Sequence, residues 1–292
     1  MRRASSSGQL CWLLEDGFLR SLGLPSHGAP AYSIVVDDLG IYYDASRASR
    51  LETLIAEGNT DPALAQQAKN ALDLVRRHRL SKYNHEDRCL PPDWNAHPPG
   101  QHRRVLVVDQ TAGDLSVLLG GAGPETFEAM LAAALAENPE AEIWVKAHPE
   151  TRSGRKRGYF ATLPSDPRIR RLEAATAPLT LLEQMDRVYV VTSQMGFEAL
   201  MLDKPVTCFG LPWYAAWGLT DDRHAGIAAL RRRRPCPRTV EQLFCAAYLQ
   251  YARYVDPRTG APGTIFDLID YLVQARRPGR EWRARDELAL PA

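Results

Sequence analysis

Three apolar runs in the second half of the chain are each followed directly by polar side chains that could perform chemistry. Acids and an amide follow the first run, a lysine and a histidine the second, and two hydroxyls the third. The residues are Asp109, Gln110 and Asp114, then Lys146, His148 and Pro149, then Thr192 and Ser193. Carboxylates, imidazoles and hydroxyls can act as nucleophile, acid or base, and can bind an anionic group. Three such groups together predict a polar cleft.

The third group opens a predicted helix, Gln194–Leu202. The first turn of a helix has free N–H groups and the positive end of the helix dipole, which suits a nucleotide phosphate. Glu198 lies within this helix at a position from which its side chain can point towards the cleft. The alternatives are that Thr192 and Ser193 only cap the helix, and that Glu198 is a solvated surface acid.

A further pair of acids lies near the N-terminus. Glu15, Asp16 and Gly17 follow the short apolar run Leu10–Leu14, which predicts a strand that ends in a tight turn. Two adjacent acids at a strand end are usually surface charge. They can also be a general base held at a cleft.

The second half of the chain alternates short apolar runs with helical patterns. The predicted strands are Val105–Val108, Ile143–Val145, Arg168–Leu172, Val188–Val191 and Val206–Phe209. The predicted helices between them are Phe127–Glu137, Leu179–Gln184 and Gln194–Leu202. This alternation indicates a parallel, doubly wound sheet, in which ligands bind beyond the carboxyl ends of the strands.

The rest of the chain is less regular. Cys89–Arg103, rich in Pro, His and Gly, is the predicted domain boundary. The other predicted elements are a strand at Ser33–Val36 that pairs with Ile41–Tyr43 as a hairpin, helices at Arg50–Glu57 and Pro62–Arg79, and closing helices at Thr239–Val255 and Thr264–Arg277.

The composition excludes several function classes. The 292 residues carry a net charge of +1, which argues against a globally basic nucleic-acid-binding protein. The five cysteines are scattered and the seven histidines show no pair at ligand spacing, so neither a disulfide framework nor a metal-dependent hydrolase is expected. No apolar run reaches the roughly 18 residues that span a bilayer. We therefore expect a cytoplasmic protein whose membrane contacts, if any, are peripheral.

Seven stretches, in order along the chain, resemble the capsule polysaccharide β-Kdo transferases, which build the Kdo linker of lipid-anchored bacterial capsules. They are EDGFLRS (Glu15–Ser21), SIVVDDLGIYYDA (Ser33–Ala45), SKYN (Ser81–Asn84), DQTAGDLSV (Asp109–Val117), KAHPE (Lys146–Glu150), RKRGY (Arg155–Tyr159) and the stretch Val188–Asp222. The resemblance implies an α/β fold of two Rossmann-like halves, as in GT-B-like glycosyltransferases. It divides the chain into an acceptor-side half at 1–98, expected to be shortened at its N-terminus, a CMP-sugar half at 99–238, and C-terminal helices at 239–292 that pack back on the first half.

The resemblance also implies roles for single residues. Asp114 matches the carboxylate that the family uses as a nucleophile, and Asp109 is the alternative key acid. Glu15 or Asp16 matches the acid that handles the acceptor proton. The residues expected to bind the donor CMP-Kdo are Gln110, Lys146, His148, Pro149, Thr192, Ser193 and Glu198, with His148 and the two hydroxyls on its phosphate.

The implied activity is a retaining transfer of Kdo from CMP-Kdo to a Kdo-terminated lysophospholipid acceptor, with neither metal nor cofactor. The implied partners are the inner face of the inner membrane and other capsule assembly proteins, and not nucleic acid. The basic runs Arg155–Arg157 and Arg231–Arg234 are solvated loops, or else contact an anionic substrate or lipid headgroups. The alternative function is a non-catalytic or truncated CMP-binding module of a capsule assembly protein.

Overall fold

The chain divides into two compact units. The first is built from residues 1–42, 47–85 and 241–292, and the second from 43–46 and 86–240. The structure, a computed structural model, describes residues 11–86, 89–90, 94, 103–147, 151, 154, 156–172 and 174–276. The first unit is therefore assembled from both ends of the chain.

The strands are β1 Leu13–Asp16, β2 Ser33–Asp37, β3 Arg104–Val108, β4 Glu142–Lys146, β5 Ile169–Leu172, β6 Arg187–Val190, β7 Val206–Cys208, β8 Asp221–Asp222, β9 Ala252–Val255 and β10 Pro262–Gly263. The helices are α1 Arg50–Glu57, α2 Pro62–His78, α3 Leu115–Leu119, α4 Pro124–Glu137, α5 Pro178–Glu183, α6 Gln194–Met201, α7 Ile227–Arg233, α8 Val240–Phe244 and α9 Ile265–Ala275, with a π-helix at Cys245–Tyr251. In the part of the chain that the structure describes, no helix is both long and apolar enough to cross a membrane.

The second unit is organised around a parallel sheet with the strand order β5-β4-β3-β6-β7-β8. Every residue of β3 and β4 is buried, as expected for parallel strands covered on both faces. Helix α4 places Phe127 and Met130 in the same core cluster as Val107 and Val145. The predicted α/β fold with a parallel sheet is confirmed, and the sheet brings the carboxyl ends of β3, β4 and β6 to one edge.

The first unit has an antiparallel sheet with the order β1-β2-β9-β10. Alternate residues of β2 are buried, which is the pattern of a strand with one face on the core. A Rossmann-like half has parallel strands. This unit differs because β9, from the C-terminal part of the chain, runs antiparallel beside β2, with Ile34 opposite Arg253. The prediction of a single helix at Thr239–Val255 is accordingly wrong for its last four residues.

A buried carboxylate fixes the chain after β2. Asp37 is fully buried and accepts hydrogen bonds from the N–H groups of Leu39 at 3.0 Å and Gly40 at 2.9 Å. It also accepts from the N–H of Arg50 and, at 2.8 Å, from the hydroxyl of Tyr251. These bonds turn the chain away from β2, so the predicted hairpin between β2 and residues 41–43 does not form and that prediction is wrong.

Candidate functional site

Two of the predicted site residues hold neighbouring strand ends together. Strands β3 and β6 are adjacent, and Gln110 and Thr192 follow them on the carboxyl side. The side-chain oxygen of Gln110 accepts from the N–H of Thr192 at 2.9 Å, and its side-chain nitrogen donates to the Thr192 hydroxyl at 3.0 Å. Because Gln110 is buried, this two-way contact fixes both side chains at the edge of the sheet.

Asp114 lies beside this pair as the N-cap of α3. Its Oδ1 accepts from the N–H of Ser116 at 2.9 Å, which satisfies one free donor of the first turn. Among the described residues, no donor contacts its second carboxylate oxygen, and the side chain is partly exposed. One carboxylate oxygen of Asp114 is therefore fixed by the Ser116 N–H, and the other has no donor among the described residues. Such an arrangement suits nucleophilic attack by the second oxygen.

Ser116 is a candidate site residue that sequence reasoning missed. Its hydroxyl lies 3.4 Å from the side-chain nitrogen of Gln110 and 3.4 Å from the hydroxyl of Thr192. It thus links Asp114 to the Gln110–Thr192 pair, and we refer to these four residues as the strand-end cluster. The sequence feature that could have identified Ser116 is its position two residues after the N-cap acid Asp114. A small polar side chain at that position projects from the first turn of the helix.

Ser193 begins α6. Its hydroxyl accepts from the N–H of Met195 at 3.3 Å, so the capping role is real. Its carbonyl accepts a hydrogen bond of 2.5 Å from the hydroxyl of Tyr214, which is fully buried. Burial raises the pKa of Tyr214 well above its usual value and keeps this hydroxyl protonated as a donor. A Cβ on Gly196 would collide with the same hydroxyl, so the first turn of α6 requires glycine there.

Glu198 is buried in the middle of α6, with only 2% of its surface exposed. The alternative that it is a solvated surface acid is therefore wrong. The predicted contact of Glu198 with the donor ribose remains a prediction.

Asp109 is also buried, and its surroundings distinguish it from Asp114. Its carboxylate accepts from the N–H groups of Gln110 at 2.8 Å, Tyr159 at 3.0 Å and Phe160 at 3.4 Å. Burial raises the pKa of this carboxyl, while the three N–H groups and the nearby Arg171 lower it. A Cβ on Gly158 would collide with the carboxylate. Asp109 therefore holds the chain near Tyr159 in place, and both of its oxygens are occupied.

Lys146 ends β4 and is buried rather than open to a ligand. Its Nζ lies 3.7 Å from Oε2 of Glu86, which is buried as well. Lys146 is not part of the strand-end cluster, and its predicted contact with the donor stays a prediction. His148 and Pro149, the next two predicted donor-binding residues, lie outside the described residues.

Glu15 and Asp16 end β1 in the first unit and differ in their contacts. Asp16 forms an ion pair of 2.8 Å with Nε of Arg20, a residue that is itself buried. Glu15 is partly exposed, and its carboxylate accepts only the N–H of Asp16, at 2.9 Å, among the described residues. The next residue, Gly17, packs so closely on Ser33 that a Cβ there would collide with its hydroxyl. Asp16 is thus tied to the fold, whereas Glu15 is available for chemistry.

A parallel sheet with polar side chains at its carboxyl edge places the chain in the class of α/β proteins, in which ligands commonly bind at that edge. The comparison with known proteins narrows this class. The chain belongs to the capsule polysaccharide biosynthesis protein family, whose model matches residues 1–254. The resemblance found in the sequence is thereby confirmed.

The relatives include longer proteins. The chain is 52% identical over 272 residues to the capsule polysaccharide modification protein LipA of Neisseria meningitidis serogroup A, covering 92% of this chain and 38% of LipA. It is 40% identical over 289 residues to the lipopolysaccharide-processing protein LpsZ of Rhizobium meliloti, covering 96% of this chain and 63% of LpsZ. The chain thus spans less than two thirds of the length of these relatives.

The solved structures similar to the chain include two modules of one protein. The β-Kdo 2,4 transferase of Thermosulfurimonas dismutans KpsC matches with a TM-score of 0.86 and 48% identity, over 94% of this chain and 82% of that one. The β-Kdo 2,7 transferase of the same KpsC matches with a TM-score of 0.66 and 28% identity, over 91% of this chain and 78% of that one. The chain therefore has the fold of a glycosyltransferase module.

Proposed function

We propose that this chain is a retaining β-Kdo transferase that uses CMP-Kdo to extend the Kdo linker of a capsule glycolipid. The observation that carries the proposal is the position of Asp114, an N-cap carboxylate with one oxygen fixed by Ser116, beside the Gln110–Thr192 pair. The match to a β-Kdo 2,4 transferase over 94% of the chain supports the choice of sugar and donor.

In the proposed mechanism, Ser193 and Thr192 receive the CMP phosphate at the N-terminus of α6, together with His148. The free oxygen of Asp114 attacks the anomeric carbon of Kdo while the bond from that carbon to the CMP phosphate breaks, which gives a covalent Kdo–enzyme ester and free CMP. An acceptor hydroxyl, deprotonated by Glu15, then displaces Asp114 and restores its carboxylate. Two inversions give net retention.

Glu15 is the better candidate for this base than Asp16. The ion pair of Asp16 with the buried Arg20 favours a structural role, because the loss of one partner would leave a buried charge uncompensated. Glu15 carries no such tie among the described residues.

We further propose a β-2,4 linkage, because both identity and TM-score are higher for the 2,4 transferase than for the 2,7 transferase. Incubation of the chain with CMP-Kdo and a synthetic Kdo-terminated glycolipid should yield a product that NMR assigns as β-2,4. A β-2,7 product would contradict the linkage. Binding of CMP with neither transfer nor donor hydrolysis would instead support the non-catalytic CMP-binding module.

Kdo transfer should proceed without a metal ion. A CMP-sugar has only one phosphate to neutralise, and the N–H groups at the start of α6 can contribute to that. Turnover should therefore be unchanged within about twofold after treatment with EDTA, since the electrostatic contribution of the protein is already in place. Loss of turnover on chelation, restored by Mg²⁺ or Mn²⁺, would contradict metal independence.

A further inference from the structure

The C-terminal end of α3 is held by three separate segments of the second unit. Three successive carbonyls, those of Leu119, Gly120 and Gly121, each accept one hydrogen bond. Their donors are the N–H of Ala45 at 3.0 Å, the N–H of Leu211 at 3.0 Å and the Nε2 of His224 at 2.8 Å. Two of the donors are backbone groups, and the third is a side chain.

The second contact of His224 shows which ring nitrogen carries the proton. The N–H of Gly226 donates to Nδ1 of the imidazole at 2.9 Å, so Nδ1 accepts and the ring proton must lie on Nε2. Nε2 therefore donates to the carbonyl of Gly121. Both ring nitrogens are engaged, and the imidazole connects the start of α7 to the segment that follows α3.

This segment lies close to the strand-end cluster. A Cβ on Gly120 would be 2.5 Å from Cγ2 of Thr192, and a Cβ on Gly121 would be 3.0 Å from Nε2 of His224. Gly121 also has a φ of +75°, which favours glycine. The two glycines thus let the backbone pass between Thr192 and His224. A shift of Gly121 would move both α3 and its contact with Thr192.

We propose that His224 is a positioning residue for Asp114: by holding the Gly121 carbonyl, it fixes the five-residue helix α3 and therefore the nucleophile at the N-terminus of that helix. The inference rests on the proposed function, since it takes Asp114 as the nucleophile. Helix α3 is too short to be stable without its tertiary contacts, so its position depends on them.

Two substitutions separate the contacts of His224. In His224→Asn the side-chain oxygen can replace Nδ1 as the acceptor for the Gly226 N–H, but the side chain is too short to reach Gly121. In His224→Gln the amide nitrogen can replace Nε2 and donate to Gly121. The exposed His27 provides a matched control as His27→Asn.

With CMP-Kdo as the donor, kcat of the Asn variant should fall about 10- to 100-fold, the cost of a small misplacement of a reacting group. Its KM for CMP-Kdo should stay within about twofold, and the Gln variant should retain kcat within about threefold, because the contact that positions Asp114 is kept. Hydrogen–deuterium exchange should show faster exchange of the 115–122 amides in the Asn variant only. Equal kcat values in the two variants, or a parallel change in kcat and KM, would overturn the inference.

If the wild-type chain transfers no Kdo, the proposed function fails, and the exchange experiment alone decides whether His224 holds α3. Protection of the 115–122 amides in wild type and the Gln variant, with loss in the Asn variant, then supports the positioning role. Identical exchange in all three proteins refutes it.

Discussion

Asp114→Asn should abolish Kdo transfer while CMP still binds. The substitution keeps the size of the side chain and its oxygen for the Ser116 N–H, and Asn is as good an N-cap as Asp, so α3 should stay in place. An amide is not a nucleophile, so kcat should fall by at least about 10³-fold, as expected when a nucleophile is removed. Turnover is measured by CMP release, and CMP affinity by calorimetry.

The matched control is Asp61→Asn in the first unit. Asp61 is the N-cap of α2, and its side chain accepts from the N–H of Ala63 at 2.9 Å, the same relation that Asp114 has to Ser116. This variant should keep both stability and turnover.

Intact-mass spectrometry of Glu15→Gln with CMP-Kdo should also reveal a trapped Kdo adduct that peptide mapping places on Asp114. Near-normal turnover of Asp114→Asn, or an adduct on another residue, would remove Asp114 from this role.

Asp109→Ala should instead lower the free energy of unfolding. The substitution leaves three N–H groups without this acceptor: the buried ones of Gln110 and Phe160, and the partly buried one of Tyr159. At about 1–3 kcal/mol for each of the two buried donors left unsatisfied, we expect a loss of roughly 2–6 kcal/mol. Such a loss is a large part of the stability of a typical domain. Urea denaturation should show a lower midpoint with an unchanged slope.

Asp109→Asn is the informative companion. The amide oxygen can keep the two shorter bonds, to Gln110 and Tyr159, and no buried charge remains to be compensated. This variant should therefore fold and turn over substrate within about tenfold of wild type, since it touches no reacting atom. If Asp109→Asn lost turnover while retaining its stability, Asp109 rather than Asp114 would be the key acid.

The second unit could be predicted well from the sequence because its strands are buried on both faces. The predicted strand Val105–Val108 differs from β3 by one residue, and Val188–Val191 is offset from β6 by one. In such strands the apolar run is the strand itself, so composition alone marks it. Because adjacent parallel strands end at the same edge of the sheet, the strand prediction also places Gln110 and Thr192 close together.

The contacts that need distant partners could not be predicted in this way. Ala252–Val255 continues an apolar helical pattern, and it forms a strand only because β2 lies beside it. Arg234 ends a basic run that suggests a solvated loop. Its guanidinium is buried and donates to the carbonyls of Pro212 at 3.1 Å and Ala215 at 2.7 Å. The partner strands β2 and β9 are far apart in the sequence, and the carbonyls that bind Arg234 belong to no periodic pattern. Neither contact could therefore be predicted from local sequence.

The pairing of β2 with β9 has a consequence for how the protein is made. β2 is synthesised early, but β9 leaves the ribosome only after the whole of the second unit. Until then β2 has β1 as its sheet neighbour, and a two-stranded hairpin is marginally stable in water. The second unit, whose main part is continuous from 86 to 240, can fold in the meantime, because domains fold as units during synthesis. We therefore expect β1 and β2 to reach their native state after the second unit, although they are translated before most of it.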